Sequence, residues 1–363
     1  MTIPAELDSR IRRSAAGAFP HLGATPSVMI DRVRERPRST LIRCSVGDGP
    51  AAIRLVIKIP HVAERPPSLR PRIVPDTPAR EKSSLEAATL RAIDADLQAG
   101  PDARFGSVRV IDVYDDLGAI VMTEADGVPL AGLLFRSVGR RAGSGATAQL
   151  GLALGSAGAW LRRFQGLGLA TERTVRIDTR ADVVDLARQI GEFVARSTTR
   201  PAVVHDIVER FTTAADKVLP STFPTGLHHG DFAIRNFLIG PAGTMTAIDA
   251  LGRWRMPVHD DLARMIVAIE TSRIQSSTFG LALRPSQRDA LSDALLSGFG
   301  RDGVDPAAVR IYAVLILLDR WAALAERRSA PGRRLTRMPD ALVDRHYAGV
   351  ARRFLTPPIG ERI

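Results

Sequence analysis

The hydrophobic period of this chain changes once, near residues 125–127, and that switch restricts it to a two-part α+β design. Before the switch, short apolar and β-branched runs fall at 28–33, 40–46, 53–59, 107–114 and 119–123. The turn signals GDGPA and DDLG separate neighbouring runs, which predicts an antiparallel meander. A first segment, to about residue 24, reads as helical and ends in the turn HLGATP. Residues 60–78 hold six of the 24 prolines and read as a loop. One helix, at 79–98, is inserted after the third strand; Glu86, Leu90, Ile93 and Leu97 share a face of it. After the switch the periodicity is helical, with helices expected at 146–166, 180–197, 202–218, 260–274, 285–298, 306–327 and 340–354. A single β-like block, 227–248, interrupts them. With 363 residues, two parts suit a prior of roughly 150 residues per domain. The expected division is 1–124, a five-stranded antiparallel part with its helices, and 125–363, a mainly helical part.

The β-like block carries the chemistry. It reads HHGDFAIRNFLIGPAGTMTAIDALG, from His228 to Gly252. An Asp stands five residues before an Asn, an apolar run follows, then the turn GPAG, then a second apolar run ending in Asp249. Pairing of the two runs would bring Asn236 and Asp249 together at the open end of a hairpin. An amide oxygen and a carboxylate are hard oxygen ligands of the kind that suit Mg²⁺. Asp231, just ahead of them, is placed to receive a hydroxyl proton.

At these positions the chain resembles the aminoglycoside phosphotransferase / choline kinase superfamily, which has the protein-kinase-like fold. HGDFAIRN and AID match that superfamily's His-Gly-Asp, Asn and Ile-Asp elements with the expected spacings. The resemblance implies a two-lobed fold and an ATP- and Mg²⁺-dependent transfer of a phosphoryl group to a small-molecule hydroxyl. It implies that Asp231 is the catalytic base and that Asn236 and Asp249 hold the metal. It requires a lysine on the third strand for the ATP phosphates and a glutamate from the next helix to hold that lysine. Lys58, in RLVIKIP, is one of three lysines in an arginine-rich chain. Glu86 lies on the apolar face of its helix, so it is the expected partner; Glu81, off that face, is the alternative. Thr123, Glu124 and Ala125 match the linker whose backbone meets the adenine. Ser39 and Thr40 stand where a phosphate loop would lie, although the segment RERPRST has no glycine; a plain turn is the alternative. His229 supports the catalytic loop, and Asp261, in VHDDLARMI, braces it by accepting backbone N–H bonds. Asp260 instead reads as an N-cap, and His228 as incidental. Arg235 either touches an anionic acceptor or phosphate, or faces solvent. Phe164-Gln165 replaces the Leu-His often found after the superfamily's linker helix, and Ala233-Ile234-Arg235 replaces its His-Pro-Gly. Both departures bear on the acceptor rather than on phosphoryl transfer.

Composition narrows the alternatives. The one cysteine, Cys44, excludes an intrachain disulfide and a multi-cysteine metal site, and a cytoplasmic location is the expectation. The start of the chain has no secretory pattern, and the longest apolar stretch, 311–318, is too short to span a bilayer. Fifty Lys+Arg against 39 Asp+Glu give a net charge of +11. The basic residues are scattered and rarely interleaved with aromatics, so no nucleic-acid partner is expected; peripheral contact with an anionic membrane stays open. The same charge is a poor match for a polycationic aminoglycoside. The expected acceptor is a sugar, a glycoconjugate or a metabolite alcohol, with an aminoglycoside retained, and a nucleotide-binding pseudokinase is the alternative function.

Overall fold

In chain order the computed structural model, which describes residues 4–36, 38–61, 70–74, 77–138, 144–169, 173–174, 177–198, 200–329 and 340–356, runs as follows. Helix α1 (Ala5–Ala18) leads into strands β1 (Val28–Arg36), β2 (Ser39–Val46) and β3 (Ile53–Pro60). Next come helix α2 (Ala79–Ala99) and strands β4 (Phe105–Gly106), β5 (Val110–Tyr114), β6 (Ala119–Thr123) and β7 (Val128–Pro129). Helices α3 (Leu130–Arg136) and α4 (Ser144–Gln165) precede β8 (Arg173–Thr174), α5 (Arg180–Ala195), α6 (Pro201–Val218) and β9 (Thr225–Leu227). The chain then forms β10 (Phe237–Ile239), β11 (Met245–Ala247) and β12 (Trp254–Pro257). It ends in α7 (His259–Glu270), α8 (Arg273–Ser277), α9 (Pro285–Phe299), α10 (Pro306–Ser329) and α11 (Asp340–Leu355).

The α+β class and the antiparallel order are as expected: the main sheet runs β1-β2-β3-β6-β5, with every neighbouring pair antiparallel. Two departures are local. Helix α3 had no counterpart in the sequence reading. The helix expected at 260–274 ends at Glu270, because Ser272 is extended (φ −56°, ψ 154°), and a separate short helix follows. The loop expected at 60–78 lies largely outside the described residues.

The contacts divide the chain into two compact units, neither of them contiguous. The first comprises Met1–Pro66, Asp76–Gly127 and Leu238–Gly252; the second comprises Pro67–Pro75, Val128–Phe237 and Arg253–Ile363. The hairpin expected in the helical part thus makes its contacts with the β-rich unit.

In the first unit, strand alternation sorts the side chains. Leu55 and Ile57 of β3, with Ala119 and Val121 of β6, pack with Leu7, Ile11 and Ala15 of α1. The alternate residues Val56, Ile120 and Met122 pack with Ala87 and Leu90 of α2 and with Ile248. Lys58 is two residues beyond Val56 and so shares its face. In the second unit, α4 and α9 pack backbone to backbone through glycines: a Cβ on Gly158 would strike the Leu295 carbonyl, and one on Gly298 the Gly155 carbonyl. The apolar stretch 311–318 lies at the centre of α10 and is entirely buried. Among the described residues no helix is long and apolar enough to cross a membrane.

Candidate active site

In the first unit, three elements meet at one ammonium. Lys58 Nζ, on β3, donates to Glu86 Oε1 and Oε2 at 2.6 and 2.8 Å and to Asp249 Oδ1 at 2.5 Å. Glu86 is buried on α2 and Glu81 is exposed, so the expected Lys58–Glu86 contact forms and the Glu81 alternative does not. Burial alone would lower the Lys58 pKa, but the two carboxylates outweigh it and hold the ammonium charged, above its ordinary value. Asp249 follows β11 with φ 61°, in the left-handed region that costs a non-glycine residue about 1 kcal/mol. The turn beyond it is fastened to α2. The Thr89 hydroxyl stands 2.8 Å from the Leu85 carbonyl and 3.0 Å from that of Leu251. Gly252 (φ +57°) presses on Thr89, whose Oγ1 a Cβ at 252 would strike.

The remaining predicted positions of this unit lie elsewhere in the sheet. Ser39 is buried and begins β2, its backbone in register with Arg36 and Pro60. It is therefore a strand residue rather than a loop residue, because the connection from β1 is too short to form a loop. Thr40 Oγ1 pairs with His61 Nε2 at 2.9 Å. At the linker, Thr123 Oγ1 accepts from Arg109 N at 3.0 Å, Glu124 N donates to the Arg54 carbonyl at 2.9 Å, and the Glu124 carboxylate meets Arg43 at 3.2 Å. Ala125 packs against the cluster that contains Met122 and Ile248.

In the second unit, the loop from His228 to Asn236 is braced from beneath. Asp261 Oδ2 accepts from His229 N at 2.8 Å and Oδ1 from Gly230 N at 3.3 Å, the bracing expected of it. His229 is buried and stands edge-on to Trp160 and Phe232, with ring centroids 5.8 and 5.7 Å away. Phe164, the residue that departs from the superfamily pattern, stacks on Trp160 at 5.0 Å. The loop delivers Asp231. Its carboxylate is paired with Arg235, with 2.6 Å to Oδ2, and accepts from Asn236 Nδ2 at 2.9 Å. Burial would raise the Asp231 pKa; the Arg235 charge and the Asn236 hydrogen bond outweigh it and hold the carboxyl below the usual range. Arg235 thus contacts the expected base itself. Asn236 also donates to the Asp231 carbonyl at 2.7 Å, which fixes its amide. With the nitrogen so committed, the amide oxygen is the end left for a cation.

Two residues were misjudged from sequence. Asp260 does not cap α7; it is fully buried, takes His228 Nε2 at 2.7 Å and pairs with Arg264, with Tyr312 Oη at 3.4 Å. His228 is therefore part of the loop's foundation rather than incidental. His228, Asp260 and Asp261 lie close enough to suggest a metal site, but Arg264 already supplies the cation. The motif singled out Asp261 as the brace, but nothing local in HDDLA signalled that its neighbour would be buried against His228 and Arg264. Thr89, likewise, had no signal beyond its place beside Glu86 on the apolar face.

In the first unit Asp249 offers a partly exposed carboxylate, and in the second Asn236 offers an amide oxygen; each is a hard oxygen donor of the kind that suits Mg²⁺.

No protein-family profile matches the chain, and no curated protein does. Solved structures do. Amicoumacin kinase hAmiN in complex with AMP-PNP, Ca²⁺ and Ami matches over 97% of this chain and 98% of its own, at 12% identity and a TM-score of 0.51. A choline kinase from Cryptosporidium parvum matches over 96% and 94%, at 11% identity and 0.52. A glucosamine kinase matches over 97% and 99%, at 13% identity and 0.50. At 11–13% identity the likeness is one of fold.

Proposed function

We propose that this chain is an ATP- and Mg²⁺-dependent phosphotransferase that acts on a hydroxyl of a small molecule. The observation that carries the reading is the Lys58 ammonium held by both Glu86 and Asp249, from three elements far apart in sequence. Burying a lysine with two carboxylates brings little net stability, so a folding role alone is a weak reason for the cluster. It suits a site that must present one fixed positive charge to phosphate oxygens.

In this reading Lys58 orients the nucleotide phosphates and Glu86 fixes the lysine. Asp249 and Asn236 would hold Mg²⁺, which when bound neutralises charge on the phosphate oxygens. Glu124 and its neighbours would meet the adenine through backbone groups. Asp231 aligns the acceptor hydroxyl and takes its proton as the oxygen bonds to the γ-phosphorus and the bond to ADP breaks. For that, Arg235 must yield Asp231 to the incoming hydroxyl. The acceptor class that the charge balance supports is a neutral or anionic alcohol.

The test is ADP release by the pure protein across a panel of sugars, amino sugars, aminoglycosides and metabolite alcohols, with and without Mg²⁺. At least one acceptor should give Mg²⁺-dependent turnover. Asp231→Asn should lower that turnover by roughly 10²-fold or more while leaving nucleotide binding nearly intact. Nucleotide binding with no turnover on any acceptor would favour the pseudokinase; an Asp231→Asn variant of full activity would remove Asp231 from the mechanism.

A further inference from the structure

A second charged cluster lies at the C-terminal end of α7, in the second unit, and the phosphoryl-transfer reading does not use it. Glu270 is buried there. Arg353 Nη2, from α11, donates to Glu270 Oε2 at 2.6 Å. Arg288, from α9, brings Nη1 to 3.6 Å from the same oxygen, too far for a hydrogen bond. His346 Nε2 meets the Glu270 carbonyl at 3.1 Å. One residue on, Thr271 Oγ1 accepts from Arg320 Nη1 at 3.0 Å. Two guanidinium groups thus face one carboxylate, and a third, that of Arg320, is bound one residue on.

The arginines are more than Glu270 needs. Arg288 is almost completely enclosed, its side chain 12% exposed, yet Nε and Nη1 are buried with no hydrogen-bond acceptor among the described residues. The ion pair with Glu270 offsets its charge, but buried donors left without a hydrogen bond are costly to keep. Solvent-side geometry shows where an acceptor fits. The point in front of Gly280 where a Cβ would stand is 3.8 Å from Arg353 Nη1, 3.8 Å from His346 Cε1 and 3.9 Å from Arg288 Nη1. Guanidinium nitrogens from two helices therefore converge on one atom-sized space, which only glycine leaves open. Phe279 (φ 53°) is left-handed, which is costly for a non-glycine residue, and Gly280 (φ 83°) takes the same region freely. Gly280 itself is buried, while Phe279 and Leu281 on either side of it are exposed, and the Arg353 side chain is 40% exposed.

We propose that Arg288 and Arg353, facing Gly280 and His346, form a binding site for a small oxyanion, the phosphate or carboxylate group of a small-molecule ligand. Two planar donors at right spacing are the means by which proteins take such groups. The source is either an acidic group on the acceptor or a separate effector anion.

The site is tested by titrating the full chain with inorganic phosphate, followed by calorimetry at constant ionic strength, which requires no kinase activity. Saturable binding is expected. Arg288→Gln should weaken it roughly ten- to hundredfold, the range of one charge-assisted hydrogen bond. Arg353→Gln, at the more exposed side chain, should do so in a well-folded protein even where Arg288→Gln is unstable. Glu270→Gln removes the competing carboxylate and should strengthen phosphate binding several-fold. If the arginines served only to neutralise Glu270, the wild type would bind no phosphate, and that result overturns the site; so does a Glu270→Gln variant that gains no affinity. Once an acceptor is known, phosphate that competes with it assigns the site to the acceptor's acidic group, and phosphate that inhibits or activates without competing assigns it to an effector. Absence of any kinase activity would sink the function proposed above and leave the binding result standing.

Discussion

Lys58 and Glu86 are 28 residues apart and separated by a proline-rich segment, so nothing local forces them together. Their contact follows from two periodicities: alternation turns Lys58 to the α2 side of the sheet, and the 3.6-residue repeat turns Glu86 inward with Leu90. Lys58→Met should lower kcat/KM by loosening the grip on nucleotide phosphate. Glu86→Gln should lower it less, because the lysine keeps its charge and loses only its orientation. The double variant should cost much less than the product of the two fold-losses, as expected of residues that act as one unit; near-additive losses, measured by steady-state kinetics, would separate them. Asp231 makes a second prediction at this scale. Arg235 helps to hold its carboxyl below the usual range, so the base stays ionised until the pH falls past the ordinary carboxylate value. Arg235→Gln should move the acid limb of kcat/KM to higher pH, since burial then acts with less opposition. An unmoved limb would mean that the ion pair is not formed in the working enzyme.

At the scale of elements, α2 fastens both partners of the ammonium. Glu86 faces Lys58, and Thr89, one turn on, faces the turn that follows Asp249. Thr89→Val keeps the shape beside Gly252 and removes only the hydroxyl, so the fold should lose about 1 kcal/mol. Affinity for a Mg²⁺–nucleotide analogue should fall several-fold, and Thr89→Ser should restore it; equal affinities in all three proteins would make Thr89 a packing residue alone. Much of this element map was legible in the sequence. The seven long helices of the second half were placed from periodicity to within a few residues, and the sheet from turn signals. Helix α3 was missed because LAGLLFR is a seven-residue element with a glycine inside it, too short for a period to register. The Asp260–His228–Arg264–Tyr312 foundation was missed for another reason. Its members come from three places in the chain and meet only through the packing of α7 on α10, which no local pattern reports. The Arg288–Arg353 pair was hidden by background: against so many arginines, two more carry no signal, whereas three lysines made Lys58 conspicuous.

At the scale of the whole molecule, the net charge of +11 survives internal pairing, since each pair cancels within itself: Arg264 with Asp260, Arg328 with Asp344, Arg353 with Glu270. What the global fold does carry is a pH dependence of stability, and His259 is its clearest source. At the start of α7 its ring is buried between Phe223, edge-on at 5.3 Å, and Tyr312, stacked at 6.2 Å. Nδ1 has no hydrogen-bond partner among the described residues, and burial lowers the pKa from 6.5 to about 4. Between those values the unfolded chain binds a proton that the folded chain refuses. Stability therefore falls as the pH drops through this window, and below about 4 the loss from this residue is complete. A shift of that size corresponds to roughly 3 kcal/mol. The Asp260 carboxyl, held low by Arg264 and His228 against the cost of its own burial, adds a further loss only at lower pH, once the unfolded-state carboxyl begins to protonate. His259→Phe keeps the aromatic packing and removes the titration. In urea unfolding at a series of pH values, the variant should hold its stability between pH 6.5 and about 4 where the wild type declines. Parallel curves for the two proteins would place the acid sensitivity elsewhere in the chain.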